Sequence, residues 1–147
     1  MPHDKAIGFI GLGVMGEPIC RNLVKKSGKR VVVFDLAPEP LARLRADGAE
    51  IAGSAADVIK QGDLLFLCLP SAKHVRAVFE GDGILKNIRS GQIVVDLGTS
   101  SVSQTRDFAG QLQAKVHRSR APGRRRRTAR SASWSGRRPR FTPRLSR

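Results

Sequence analysis

Short apolar runs recur along this chain and are separated by longer stretches in which apolar residues have helical spacing. Four runs are almost continuously apolar and predict strands at 5–11, 30–35, 63–70 and 92–98, while AEIAG at 49–53 predicts a short edge strand. Strands that lack polar alternation are typical of a parallel sheet covered on both faces.

The intervening stretches predict helices at 14–26, 38–47, 54–59, 71–79 and 102–114. Ser54 and Ser71 stand where N-caps are expected, and Gly48 stands where a helix would stop. Strand and helix therefore alternate with short connections. This alternation predicts an α/β fold, a Rossmann-type doubly wound parallel sheet with right-handed crossovers.

A glycine-rich turn lies between the first predicted strand and the first predicted helix. Gly11 would allow the tight turn, Gly13 would let a pyrophosphate approach the backbone, and Gly16 would let helix and strand pack closely. The phosphates would then lie at the positive end of the helix. An ordinary strand-to-helix turn is the alternative. The predicted cofactor-binding segment comprises Gly11, Leu12, Gly13, Val14, Met15 and Gly16.

Asp35 ends the second predicted strand, nineteen residues after Gly16. A carboxylate at this place would accept hydrogen bonds from a ribose 2′-hydroxyl, although an aspartate that caps the next helix is the alternative. The same charge would repel a 2′-phosphate, and LAPEP at 36–40 offers no arginine to bind one. Arg43 and Arg45 follow about two helical turns on. The sequence therefore predicts NAD as the preferred cofactor over NADP.

Two segments, IGFIGLGVMGEPICRNL and CLPSAKHVRAVFEGDGILKNIRSGQIVVDLGT, resemble the cofactor domain of the β-hydroxyacid dehydrogenases. That group includes 3-hydroxyisobutyrate dehydrogenase, tartronate semialdehyde reductase and, more distantly, 6-phosphogluconate dehydrogenase. The resemblance covers about residues 5–116. It implies hydride transfer between nicotinamide and a short 3-hydroxyacid, with the catalytic lysine on a helical domain that this sequence lacks. The chain alone is therefore expected to be inactive.

The resemblance also implies site residues beyond the glycine turn. Leu69 and Pro70 would line the nicotinamide side of the cleft, and Thr99 would contact the nicotinamide. His74 would contact the cofactor, although a solvated surface histidine is an equal alternative. The family usually has Ser or Thr where Gly98 stands, and often Asn where His74 stands.

Charge divides the chain unevenly. All twelve acidic residues and fifteen of the 27 basic residues lie in 1–116, whereas 117–147 holds the other twelve, all of them arginines. We therefore expect a domain at 1–116 and a disordered basic tail at 117–147. Such a tail would bind polyanions non-specifically. An evolved arm that binds nucleic acid through phosphates is the alternative function for the whole chain.

The tail's composition favours a frameshift, because shifted GC-rich codons yield arginine but not lysine. Regrouped one base earlier, HRSRAPG at 117–123 can encode Ala-Pro-Val-Ala-Arg-Thr-Arg. ARSASWSG at 129–136 can likewise encode Gly-Thr-Leu-Ser-Ile-Met-Val-Gly. Both resemble segments that follow the cofactor domain in this family, in the same order. The tail is therefore predicted to be out of frame.

The remaining expectations are mostly negative. No apolar run is long enough to cross a bilayer and no secretory signal is visible, so a cytoplasmic protein is expected. Cys20 and Cys68 lack metal-ligand spacing and are expected to be reduced, buried thiols, with no metal site. Apolar surface left without its partner domain would favour self-association.

Overall fold

The computed structural model describes residues 5–98 and 101–119, of which the side chains of residues 102 and 116–119 are left undescribed. Its five strands form one parallel sheet in the order β3-β2-β1-β4-β5, which is the predicted Rossmann-type arrangement. The strands are β1 (Ile7–Ile10), β2 (Val31–Phe34), β3 (Glu50–Ile51), β4 (Leu64–Leu67) and β5 (Ile93–Asp96). The helices are α1 (Gly16–Lys26), α2 (Pro38–Asp47), α3 (Ala55–Gln61), α4 (Ala72–Phe79), α5 (Ile84–Asn87) and α6 (Val102–Ser119).

The sheet separates two apolar clusters, which explains why its central strands carry few polar residues. Phe9 and Val33 pack with Leu44 of α2 in one cluster. Ile10 and Leu65 pack in the other cluster, which also includes residues of α3, α4, α5 and α6. Successive residues of β1 thus enter opposite clusters, as the two-residue period of a strand requires. All four residues of β1 are buried, and they fix the centre of the sheet.

The strand order reverses between β1 and β4, and this reversal positions the site. β1 pairs with β2 on one side and with β4 on the other, so the connections after β1 and β4 leave the same edge of the sheet in opposite directions. In open parallel sheets, ligands bind in the crevice at the carboxyl ends of the strands beside such a reversal. The glycine-rich turn follows β1 directly.

Several local expectations are met by the helix ends. Gly48 ends α2 with φ of 108°, a conformation that glycine adopts without steric penalty. The Ser54 hydroxyl accepts a hydrogen bond from the Asp57 amide at 3.2 Å and caps α3. Ser71 is the N-cap residue of α4, but its side chain makes no capping hydrogen bond.

Other expectations are wrong. The first helix begins at Gly16 rather than at residue 14, since Val14 and Met15 belong to the turn and are largely exposed. The short helix α5 was not expected at all. Cys68 is only half-buried, because it follows β4 at the edge of the crevice, whereas Cys20 is buried as predicted and both thiols are free.

The last helix is longer than the sequence indicates. It continues to Ser119 instead of ending at residue 114, so residues 117–119, assigned to a disordered tail, are helical. The physical reason is that KVHRS at 115–119 contains no glycine or proline to stop the helix. The rest of the tail and Thr99 lie outside the described residues. None of the described helices is both long and apolar enough to span a membrane.

Candidate dinucleotide-binding site

The turn between β1 and α1 is built from backbone contacts that exclude side chains at two glycines. Gly11 has φ of 97°, and a Cβ atom placed there would lie 2.2 Å from the carbonyl oxygen of Cys68. A Cβ atom on Gly16 would lie 2.1 Å from the carbonyl oxygen of Gly11. Any larger residue at either position would force β1, α1 and the end of β4 apart.

Gly13 differs from the other two glycines of the turn. A Cβ atom there would meet no atom within 4 Å, so the protein itself leaves open space above this residue. Gly13 also lies just before the N-terminus of α1, where backbone amides and the helix dipole favour an anion. The absence of a side chain therefore keeps this backbone accessible to a phosphate group.

Asp35 joins the glycine turn to the start of α2. One carboxylate oxygen, Oδ2, accepts a hydrogen bond from the Leu12 amide at 2.6 Å. The other, Oδ1, accepts one from the Ala37 amide at 2.7 Å. Ala37 is the N-cap residue of α2, so Asp35 precedes the cap rather than forming it. Both amides hold the carboxylate at the carboxyl end of β2, and each oxygen keeps a lone pair for a ligand hydroxyl.

A cleft of about 700 Å³ opens above the carboxyl ends of β1, β2, β4 and β5. Its size falls within the range of about 300–1,000 Å³ that small-molecule and cofactor sites occupy. It brings together the predicted residues Gly11, Gly13, Val14, Met15, Gly16, Asp35, Leu69, Pro70 and His74. Leu36, Cys68, Ala77, Val78, Leu97 and Gly98 also line it. Most of the lining is apolar, with Asp35 near one end.

Two predicted site residues are not part of this lining. The Leu12 side chain is buried in the apolar cluster with Phe9, and only its backbone takes part in the site, through the hydrogen bond to Asp35. Thr99 lies outside the described residues. The lining residues that were not predicted as site residues are Ile10, Phe34, Leu36, Cys68, Ala77, Val78, Leu97 and Gly98. Leu97 could have been found because it directly follows β5, whereas nothing in the sequence marks Ala77.

His74 lies at the first turn of α4, exposed and facing the cleft. Its Nδ1 atom is hydrogen-bonded to the Ser71 hydroxyl at 2.8 Å, which fixes one ring nitrogen locally. The second ring nitrogen, Nε2, is the atom through which this side chain could reach a ligand. The geometry is compatible with both alternatives that the sequence leaves open, a cofactor contact and a solvated histidine.

A second cavity of about 500 Å³ adjoins the cleft, and Gly13 and Val14 line both. Glu17, Arg21 and Arg43 lie in its wall. Glu17 is bonded to both arginines, and these hydrogen bonds, above all the one from Arg43, lower the pKa of its carboxyl group. Arg43 follows Asp35 by about two helical turns in the sequence, but the fold places it in this second cavity beside the cleft.

The described residues contain no group of three or more side chains that could hold a metal ion. Burial raises the pKa of the Cys20 thiol to about 12. Burial and the negative charge of Asp96 raise that of Cys68 as well. Neither thiol is therefore ionised at neutral pH, which argues against a role as nucleophile.

A family model of the NAD binding domain of 6-phosphogluconate dehydrogenase matches residues 6–120. The Dictyostelium discoideum protein named "Probable 3-hydroxyisobutyrate dehydrogenase, mitochondrial" is 40% identical over 117 residues, which are 79% of this chain and 36% of that protein. The structure of Mycobacterium tuberculosis 3-hydroxyisobutyrate dehydrogenase with L-serine superposes with a TM-score of 0.69 at 31% identity, over 76% of this chain and 37% of that one. A structure of Psf3 in complex with NADP⁺ and 2-OPP gives 0.69 and 31%, over 74% and 39%.

These matches confirm the resemblance inferred from the sequence and define its extent. The chain spans little more than a third of the length of the relatives it matches. The nucleic-acid alternative receives no support from them. The chain belongs to the family of the NAD-binding domain of 6-phosphogluconate dehydrogenase, and it matches the NAD(P)-binding domain of oxidoreductases related to 3-hydroxyisobutyrate dehydrogenase.

Proposed function

We propose that this domain binds NAD(H) in preference to NADP(H), and that in a longer protein it serves hydride transfer to or from a short 3-hydroxyacid. When bound, the nicotinamide supplies the hydride chemistry, while this chain binds and orients the cofactor. The pyrophosphate would lie against Gly13 and the N-terminus of α1. The nicotinamide would lie along Leu69, Pro70 and His74, with Thr99 beside it.

The carboxylate of Asp35 carries the proposed preference. It is held by the Leu12 and Ala37 amides at the carboxyl end of β2, where a dinucleotide presents its adenosine ribose. There it would accept a hydrogen bond from a 2′-hydroxyl and repel a 2′-phosphate. Family membership does not decide the choice, since the similar structure of Psf3 holds NADP⁺. The preference therefore rests on this side chain.

Fluorescence titration of the chain with NADH and NADPH tests the proposal. We expect NADH to bind at least about tenfold more tightly, a difference of about 1.4 kcal/mol. Asp35→Asn keeps the size and one acceptor but removes the charge, so the difference should shrink to less than about threefold. Equal or tighter binding of NADPH by the unaltered chain would contradict the preference, and binding of neither cofactor would contradict the function.

We also infer two less specific kinds of partner, one from the positive charge of the tail and one from exposed apolar side chains. The twelve arginines of 117–147 would bind polyanions non-specifically, with an affinity that falls steeply as salt is raised. Much tighter binding of one defined duplex than of scrambled DNA would instead favour the nucleic-acid arm.

Val14 and Leu36 are 92% and 89% exposed, which favours self-association measurable by sedimentation. A cytoplasmic location stays a prediction, and fractionation would test it.

A further inference from the structure

Arg43 of α2 lies beside the proposed ribose end of the cleft, in a cavity that Arg21 of α1 also lines. Its side chain lines the cavity that also contains Gly13, Val14 and Ala37. Ala37 donates its amide hydrogen to Asp35, so this wall of the cavity is joined by one hydrogen bond to the carboxylate that would meet the ribose. A phosphate attached to the 2′-oxygen would project towards this wall of the site.

A free arginine at this position would oppose the preference set by Asp35. The guanidinium group presents a planar fork of N–H donors that matches two phosphate oxygens. Such a pairing would attract the 2′-phosphate that Asp35 repels. A free Arg43 would therefore reduce the discrimination that Asp35 provides, so the state of Arg43 decides how much of that discrimination survives.

Glu17 occupies the fork of Arg43. Its two carboxylate oxygens accept hydrogen bonds from Arg43 Nε and Nη2 at 2.6 and 2.7 Å. The same carboxylate accepts a third bond, at 2.9 Å, from Arg21. Arg21 is itself bound to Asp47 at 2.7 Å, so Glu17 lies within a network that joins α1 to α2.

Burial makes this arrangement more than a mobile surface pair. The Glu17 side chain is only 14% exposed, whereas that of Arg43 is 55% exposed. Glu17 is also in the first turn of α1, where the helix dipole favours a negative charge. The carboxylate is therefore the fixed partner, and the arginine is the group that would swing away if it were released.

We propose that Glu17 is a specificity-determining residue, which holds Arg43 in a two-pronged ion pair and so denies the 2′-phosphate of NADP(H) a binding partner. This inference rests on the proposed binding of NAD(H). Asp35 acts by repelling the wrong cofactor, while Glu17 acts by withholding the group that would attract it. Discrimination between two ligands that differ by one phosphate uses both devices.

Four variants of the full chain test the proposal: Glu17→Gln, Arg43→Ala, the double variant and Glu39→Gln. Glu39 is the matched control because it lines the same cavity and acts on Arg43 by charge, while no hydrogen bond among the described residues joins the two. The measured quantity is the ratio of the dissociation constants for NADPH and NADH. Adenosine 2′,5′-bisphosphate and AMP provide the same comparison without nicotinamide.

We expect E17Q to shift the ratio towards NADPH by about tenfold, since a freed guanidinium gains one bidentate contact with phosphate. E39Q should shift it by less than about twofold, because it removes equal charge without releasing Arg43. R43A alone should leave the ratio unchanged within about twofold, since the arginine is already occupied by Glu17. The double variant should return to the ratio of the unaltered chain.

An unchanged ratio in folded E17Q, an equal shift in E39Q, or a shift that persists in the double variant would overturn the proposal. So would a clear loss of NADPH affinity in R43A alone, because Arg43 would then already contact the phosphate. If E17Q does not fold, Glu17→Asp replaces it, since the shorter side chain keeps the charge but cannot reach both donors. Failure of the unaltered chain to bind NADH would instead overturn the proposed function, and the bisphosphate titrations would still report on Arg43.

Discussion

The two ends of the cleft are built in different ways. At the glycine end, Gly11 and Gly16 are fixed by backbone contacts that leave no space for a side chain, and two amides hold Asp35. At the opposite end, Leu69 and Leu97 present partly exposed apolar surface, and Leu97 is 39% exposed. We call the glycine end closed because its backbone leaves no space for side chains at Gly11 and Gly16, even though Val14 and Leu36 are exposed beside it. We call the other end open because side chains form an apolar wall there.

This difference separates binding from catalysis. The groups proposed to hold the adenosine and pyrophosphate, Gly13 and Asp35, are present within the described chain. Hydride transfer also requires a group that exchanges the hydroxyl proton, together with a cover that excludes water. No lysine is among the described residues that line the cleft, and His74 is exposed at its edge. The open end thus resembles one half of a reaction site.

The largest expected effect is the absence of catalytic turnover, which tests whether the open end is only one half of a reaction site. We predict that the 147-residue chain binds NADH but shows no steady oxidation of 3-hydroxyisobutyrate with NAD⁺. Lys73 is next to His74 in the sequence, but its exposed side chain is not among the residues that line the cleft. Absorbance of NADH at saturating substrate measures the rate.

The control for this assay is a chain whose reading frame is restored near codon 116. Activity of the restored protein alone would support both the half-site and the frameshift. Steady turnover by the short chain would show that its open end is complete for chemistry. The gene's nucleotide sequence checks the frameshift independently of any assay.

The second effect distinguishes two roles of glycine at the closed end, which are close backbone packing at Gly16 and open space for a pyrophosphate at Gly13. Gly16→Ala places a Cβ atom 2.1 Å from a carbonyl oxygen of Gly11, so we expect a loss of several kcal/mol in unfolding free energy and loss of NADH binding. Gly13→Ala meets no protein atom within 4 Å, so the fold should survive. It should nevertheless weaken NADH binding about tenfold or more, because the methyl group occupies the space of the pyrophosphate.

Thermal unfolding and NADH titration of both variants measure these effects. Serine at residue 13 serves as a further control, since it adds a similar volume together with a hydrogen-bond donor. Normal NADH affinity in G13A would show that the pyrophosphate does not approach this residue. Equal destabilisation by G13A and G16A would show that a side chain at residue 13 also clashes with the protein.

The closed end was predictable because its residues follow a known spacing, with three glycines after the first strand and an acid at the end of the second. The contacts themselves are partly long-range, since Gly11 meets Cys68 and Asp35 is bonded to Leu12. The fold followed from apolar periodicity. The prediction did not extend to Arg43, because its separation from Asp35 in the sequence gave no indication that α1 and α2 pack together. The Glu17–Arg21 spacing of four residues was visible, but the bond from Arg43 depends on tertiary packing.

The open end was less predictable for related reasons. Leu69 and Pro70 were expected from a resemblance, whereas Ala77 and Val78 line the cleft because α4 packs beside it, which the sequence did not indicate. The Ser71 hydroxyl was expected to cap that helix but is hydrogen-bonded to the His74 ring instead. The ring and the backbone amides of the first turn compete for the same hydroxyl. The end of α6 was missed because the arginine-rich composition after residue 116 obscured a helix that simply continues.

The smallest effect is expected from acid titration of the ion network beside the glycine end. Arg43 and Arg21 hold the pKa of the Glu17 carboxyl below its ordinary value of 4.5. A carboxyl group whose pKa is lower in the folded state adds stability above its unfolded pKa, and this stability is lost as pH falls through the folded value. The unaltered chain should therefore melt higher than E17Q near pH 7, by about 2–4 °C. The difference should vanish as the pH is lowered well below 4.5, because Glu17 is then also neutral.

The control is E39Q, which should melt at the same temperature as the unaltered chain at neutral pH, because Glu39 is exposed and outside the bonded network. Other carboxyl groups with a lowered pKa, such as those of Glu50 and Asp82, are present in both chains, so the difference between the two chains reports on Glu17. A melting difference between the unaltered chain and E17Q that stays constant from pH 7 to pH 3 would mean that the pairs of Glu17 contribute through packing and not through charge.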